Sequence, residues 1–232
     1  MQPTYLPWAG YFNLMARANH FVFLDDVQFE RSSWQCRNRI LTDRGPLWLS
    51  IATQGVSLQT KICDVEVNET LDWRRKHAAS IRQAYARHPH RDCLEELLGI
   101  IEDRSLTRLA DINIAIIRQW AERLSLAPAF VRSSSLGAEG KRSDRLVNIC
   151  RALEARVYHS PRGARDYLED DGALSKAGIE TVFQDYAVPP YPQLDSAQFV
   201  AQLSLLDAVA NLGWKGAREL VLGGLPQSAA SA

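Results

Sequence analysis

From residue 129 the chain reads Ala129-Phe130-Val131, an amphipathic stretch over residues 143–154, Arg156-Val157-Tyr158-His159, a second amphipathic stretch over residues 164–177, and Glu180-Thr181-Val182-Phe183. Short apolar runs separated by helix-length segments are the pattern of right-handed βαβ units, whose strands pair in parallel. The expected fold is therefore α/β, with a Rossmann-like, mainly parallel sheet flanked by helices. Gly172 and Gly178 fall where a loop and a helix C-cap are needed. Upstream, Tyr11, Phe12, Leu14, Met15 and Ala18 mark a short amphipathic helix, and Phe21-Val22-Phe23-Leu24 is a compact apolar run closed by Asp25-Asp26. That order reads as a helix, a buried strand and an acidic strand end.

Between these regions, residues 47–51 and 63–67 alternate apolar with polar side chains, as two strands of a half-exposed antiparallel piece do. Residues 71–86, 91–101 and 108–126 repeat apolar side chains at three and four spacing, punctuated by Pro89 and the 103–105 stretch, and predict a helical insertion over about residues 71–126. Pro189-Pro190-Tyr191-Pro192 reads as an extended linker before a last helix over residues 199–212. No internal repeat is present. One domain over residues 1–224 and a frayed tail over residues 225–232 is the expected organisation.

The 232 residues are 46% hydrophobic and 23% charged, with 27 Lys plus Arg balanced by 27 Asp plus Glu. A chain of this length buries roughly 70–75% of its unfolded surface, and its composition excludes disorder, collagen and disulfide scaffolds. Net neutrality argues against duplex DNA or an anionic membrane as partner, so nucleic acid is disfavoured. The neutrality is nonetheless a sum of opposed blocks: three acids lie between Asp25 and Glu30, and four arginines between Arg31 and Arg44. No apolar run approaches the ~18 residues of a membrane span, so none is expected. The absence of a signal-like start and of any C-x-x-C pair among Cys36, Cys63, Cys93 and Cys150 predicts reduced thiols in the cytoplasm.

Two segments carry residues suited to chemistry. Gln2-Pro3-Thr4-Tyr5-Leu6-Pro7-Trp8-Ala9-Gly10-Tyr11-Phe12 is a stiffened loop feeding a helix, and its rings Tyr5, Trp8 and Tyr11 are suited to stacking a sugar or base while backbone N–H groups meet a phosphate; a hydrophobic plug is the competing reading. In the segment from Asp25 to Arg39, Gln28, Trp34 and Asn38 are interleaved among charges, and an extended backbone sets Arg37 and Arg39 on one face to grip a diphosphate or carboxylate. Asp25 or Asp26, at the carboxyl end of a strand, suits a general base or a Mg²⁺ ligand, whereas an internal network of these acids with these arginines is the structural alternative.

A weaker third grouping joins Lys141 and Arg145 around a helix start capped by Ser143, Ser160 in Ser160-Pro161-Arg162-Gly163, and Tyr167. No Walker A loop and no G-x-S-x-G elbow occur. His88-Pro89-His90 with Cys93 reads as a surface turn, and no metal site is expected. His77 shares a helical face with Trp73, Ile81 and Ala84, which favours packing; it stays with Asp25 and Asp26 as a candidate catalytic group.

The strings Gln2 to Phe12, Phe23-Leu24-Asp25-Asp26-Val27-Gln28-Phe29, Trp34 and Arg37-Asn38-Arg39 resemble the WbqC-like protein family. Trp73 with Lys76-His77, Tyr85, Lys141 with Arg145-Leu146, Tyr158 with Ser160, Tyr167, Phe183-Gln184-Asp185-Tyr186 and Tyr191-Pro192-Gln193 extend the likeness over nearly the whole chain. The resemblance implies a link to bacterial surface-polysaccharide (O-antigen) gene clusters. It also implies a short apolar strand ahead of the Gln-Pro motif, where this sequence has only Met1, and an apolar residue where His159 stands.

The expected activity is a transferase that moves an acyl, aminoacyl or similar group onto a nucleotide-linked amino sugar. Its partner is then a small molecule, a nucleotide sugar; no cofactor is specified beyond a Mg²⁺ compatible with the acids. Nucleotidyl transfer or ATP-dependent ligation is one alternative. A non-catalytic protein that binds a nucleotide, glycan precursor or RNA through the same aromatics and arginines is the other.

Overall fold

The computed structural model describes residues 1–194 and 196–223; the tail beyond them lies outside the described residues. The chain runs α1 (Ala9–Met15), β1 (His20–Phe23), β2 (Arg37–Thr42), β3 (Gly45–Ser50), β4 (Thr53–Gln54), β5 (Glu66–Val67), α2 (Trp73–Tyr85), α3 (Glu95–Glu102), α4 (Leu109–Arg123), β6 (Ala129–Arg132), α5 (Arg142–Ala152), β7 (Val157–Ser160), α6 (Arg165–Asp171), α7 (Ala173–Lys176), β8 (Glu180–Phe183) and α8 (Leu205–Leu222). Helices and parallel strand pairs together make this an α/β fold. β1 pairs with β6 and β7 with β8, both in parallel, with Phe23 opposite Arg132 and Ser160 opposite Phe183.

Among the described residues the strands form four two-stranded sheets, so backbone pairing does not join the two parallel pairs into one sheet. The antiparallel partners also differ from expectation. β3 pairs with β2 through a tight turn, Thr42 opposite Gly45, and the short β5 pairs with β4. The polar Arg37-Asn38-Arg39 segment is thus a strand, because Asn38, Ile40 and Leu41 turn inward while Arg37 and Arg39 take the other face. The helix expected over residues 164–177 breaks at Gly172, whose φ of 62° is left-handed, and the last helix starts at Leu205 rather than near residue 199, with Ser204 accepting from Leu206 N.

Tyr5, Phe12 and Met15, Ile81 and Tyr85 of α2, Ile116 and Trp120 of α4, and Leu206 and Val221 of α8 share one core. The three middle helices therefore pack into the same interior as the amino-terminal region. A smaller core joins Leu146, Val147 and Cys150 of α5 to Leu168, Leu174 and Ile179, with Leu24, Tyr158 and Phe183 against it.

Buried side-chain amides tie the irregular segments down. Asn113 Nδ2 of α4 donates to Pro3 O (3.1 Å) and Gln35 O (2.8 Å), and Asn38 Nδ2 donates to Tyr5 O (3.1 Å) and Leu6 O (2.6 Å). Gln184 Nε2 donates to Gly10 O (2.8 Å) and to Asn13 Oδ1 (2.9 Å). Loops buried this deeply need such partners for their carbonyls. Asp207 is equally internal: Tyr191 Oη (2.7 Å), Gln193 Nε2 (3.1 Å) and Tyr85 Oη (3.2 Å) donate to it, and burial raises its pKa. Replacing Asn113 by Ala leaves two buried carbonyls without donors, and urea unfolding should show a loss of about 2–3 kcal/mol.

Candidate functional site

The site forms where β1 and β6 end. Parallel pairing sends both chains out of the pair on one side, so Asp25-Asp26 after β1 meets Ser133-Ser134 after β6. Asp25 is 0% exposed. Its Oδ1 accepts from Ser134 N (3.0 Å) and Ser133 Oγ (3.3 Å), and its Oδ2 from Ser134 Oγ (2.9 Å). Asp26 accepts a short hydrogen bond from Ser133 Oγ and a charge-assisted one, 2.6 Å, from Arg145 Nη2 of α5. Arg132, the last residue of β6, places Nε 3.9 Å from Asp25 and bonds Asp111 of α4 through Nη2.

The result is a compact group of three carboxylates, two guanidiniums and two hydroxyls. Arg145 and Asp26 keep 19% and 12% of their side chains exposed, and Arg132 and Asp111 more, so its outer rim is open to a ligand. Lys141 and Arg142 are exposed at the start of α5, which adds cations near Arg145. Gly140 takes φ +111°, and a Cβ there would lie 3.1 Å from Arg145 N, so only glycine lets this loop approach the helix. Ser143 is the second residue of α5 rather than its cap; its buried hydroxyl makes no hydrogen bond.

The acids and arginines of the 25–39 segment do not pair with one another. Arg31 Nη2 donates to Val56 O (2.7 Å), and Arg39 Nη2 to Ala201 O (3.3 Å) and Gln202 O (3.4 Å). Arg37 lies 4.5 Å and Arg39 5.5 Å from the ring centre of Trp48, which also meets Trp34 at 5.5 Å. Trp34 and Trp48 are 45% and 44% exposed, forming an indole pair flanked by cations on the β2–β3 hairpin.

Other candidates lie inside the fold. Tyr5, Tyr11 and Asn38 are buried, and Tyr11 Oη donates to Gln2 O (3.1 Å). Tyr5 Oη is 2.9 Å from His77 Nδ1, and burial pushes His77 down to about 4, so it is neutral at pH 7. Gln2 Oε1 accepts from Gln35 Nε2 (3.0 Å), and half-buried Trp8 packs on Tyr186 and leaves no room for a Cβ at Gly10, 2.2 Å from Trp8 Cη2. Gln28 bridges to Lys61. Ser160 is buried at the end of β7, and Tyr167 is exposed on α6. His88, expected in a surface turn, is buried against Tyr85, ring centres 4.8 Å apart.

Among the described residues no group of three or more His, Cys, Asp or Glu side chains could hold a metal. Asp25 and Asp26 are instead saturated by serines and Arg145, so no step is drawn through Mg²⁺. The four cysteines are free thiols, and no described helix is long and apolar enough to cross a membrane.

A model of the WbqC-like protein family matches residues 2–219. The chain belongs to this family. A Mycobacterium tuberculosis protein named only as "Uncharacterized protein Rv1507c" is 28% identical over 216 residues, 92% of each chain. No solved structure matches. In this WbqC-like protein, Ser133, Ser134, Arg132 and Asp111 escaped the reading of the sequence. The serine run directly after the Phe130-Val131 strand was the available signal, because parallel strands place functional groups at that end.

The depressed His77 has a pH signature. The unfolded histidine, near 6.5, takes a proton that the folded one refuses until about 4. Stability should therefore fall as pH drops from 6.5 towards 4, by roughly 3 kcal/mol once complete, and a His77→Gln variant should lose that part of the slope in urea titrations.

Proposed function

We propose that this WbqC-like protein is a transferase of bacterial surface-polysaccharide assembly, which moves an acyl, aminoacyl or similar group onto a nucleotide-linked amino sugar in the cytoplasm, and that its parallel strand pairs are parts of a Rossmann-like sheet within one domain. The observation that carries this reading is the Asp26–Arg145 pair, braced by Ser133, at the carboxyl ends of β1 and β6. Ligands of α/β folds sit at that end. Arg145, Arg132 and Lys141 supply charge for a diphosphate, with Arg145 able to exchange Asp26 for phosphate oxygens at little cost in hydrogen bonds. Asp26 is then the base: it takes the proton of the sugar amine as nitrogen attacks the acyl carbonyl, the C–N bond forms, and the donor's leaving group departs.

Titration calorimetry with a panel of nucleotide sugars tests this reading. At least one should bind, at least ~10-fold more weakly to Arg145→Gln, with the folded state of the variant checked by circular dichroism. No binding by any member, or binding indifferent to Arg145, contradicts it.

The exposed Trp34–Trp48 pair supports a second reading, a non-catalytic protein that stacks bases of a nucleotide or single-stranded RNA. Filter binding of single-stranded RNA at low salt should then fall at least ~10-fold in Trp34→Ala with Trp48→Ala; no affinity at low salt removes this reading.

A further inference from the structure

β1 and β7 each have one strand edge unused by their partners. On β1 the odd-numbered residues face β6, as Ala129 N to Asn19 O (2.7 Å) shows, so Val22 and its even-numbered neighbours face the other way. On β7 residues 156 and 160 face β8, through Glu180 N to Arg156 O (2.9 Å) and Gln184 N to Ser160 O (2.8 Å). The backbone groups of Val157 and His159 therefore face away from β8. Between the two free edges lies a cavity of about 440 Å³, lined by Val22 and Leu24 on one side, Val157 and Tyr158 on the other, and Leu146 and Ile149 of α5. Parallel strands are ordinarily covered on both faces and paired on both edges unless they end a sheet, yet Val157 is exposed here.

One residue already sits in this slot. The Met1 ammonium donates to Val22 O (2.8 Å), and Leu24 N donates to Met1 O (2.8 Å). A single residue that bridges two positions two apart on its neighbour is a parallel β-bridge. The same ammonium is wholly buried, and burial pushes its pKa down to about 5. A peptide N–H at that point has no charge to desolvate and makes the same bond.

We propose that the slot is the seat of a parallel β-strand of about four or five apolar residues, contiguous with Met1 on its amino side, that pairs with β1 on one edge and β7 on the other. The strand continues a ladder Met1 has begun, which favours the same polypeptide over a strand from another molecule. With it in place the sheet reads β6, β1, inserted strand, β7, β8. In chain order that is 3-2-1-4-5, the doubly wound order whose switch point lies between the first and fourth strands. The Gln2 to Trp8 loop and Ser160 leave the sheet on either side of that point. The inference deepens the Rossmann-like reading but stands independently of the proposed reaction, since it needs only the slot and its hydrogen bonds.

The test compares the protein purified from its own host with the 232-residue chain, by intact mass and by hydrogen exchange. The host protein should be longer at its amino end by about four residues or more, and the Val22, Val157 and His159 amides should exchange at least ~100-fold more slowly in it than in the 232-residue chain. A host protein that starts at Met1 overturns the proposal. So does a longer form whose three amides exchange as fast as in the shorter one, or are protected only in a concentration-dependent dimer, which assigns the slot to a second copy. Loss of nucleotide-sugar binding bears on neither result.

Discussion

Phe23 lies opposite Arg132 because β1 and β6 pair in parallel, and that register delivers two chain segments to the same edge, Asp25-Asp26 from one strand and Ser133-Ser134 from the other. Everything else at the site is arranged around that meeting. Asp25, fully buried, is tolerable only because a backbone N–H and two hydroxyls bond its oxygens. Asp26, one residue further out, is left for Arg145, so α5 is docked against the strand ends by an ion pair as well as by its apolar face. A helix that follows β6 across to β7 thus carries its first turn to the place where a ligand of an α/β fold sits.

The amino-terminal loop is the second element the site depends on, and it is held by polar groups rather than by secondary structure. Asn113, Asn38 and Gln184 reach it from α4, β2 and the segment after β8, each satisfying carbonyls that would otherwise be buried without partners. Its aromatic rings are consumed in the same way. Tyr5 bonds His77, Tyr11 bonds Gln2 O, and Trp8 closes over Gly10, so most of the loop's apparent binding chemistry fixes its own shape.

The alternation of short apolar runs with helical stretches after residue 129 was enough to read the βαβ pattern, because period and length survive in the sequence without knowledge of neighbours. Pairing was less legible. Residues 37–42 carry two arginines and an asparagine, which masks a strand whose inward positions are Asn38, Ile40 and Leu41. Asp26 and Arg145 were both recognisable as polar residues near strand and helix ends, yet 119 residues separate them and only the fold joins them. The run of arginines beside Asp25 pointed to a local network, whereas those arginines bind carbonyls and Trp48 and the acids take partners from β6 and α5.

The account's central claim is that ligand binds at the carboxyl ends of the parallel strands, over Arg132, Arg145 and the start of α5. Hydrogen exchange of the protein with and without a saturating uridine-diphosphate-linked amino sugar addresses it directly. The account predicts slowed exchange in residues 132–136 and 140–146, with the β2–β3 hairpin unchanged. Protection confined to residues 37–50, or absent throughout, contradicts it.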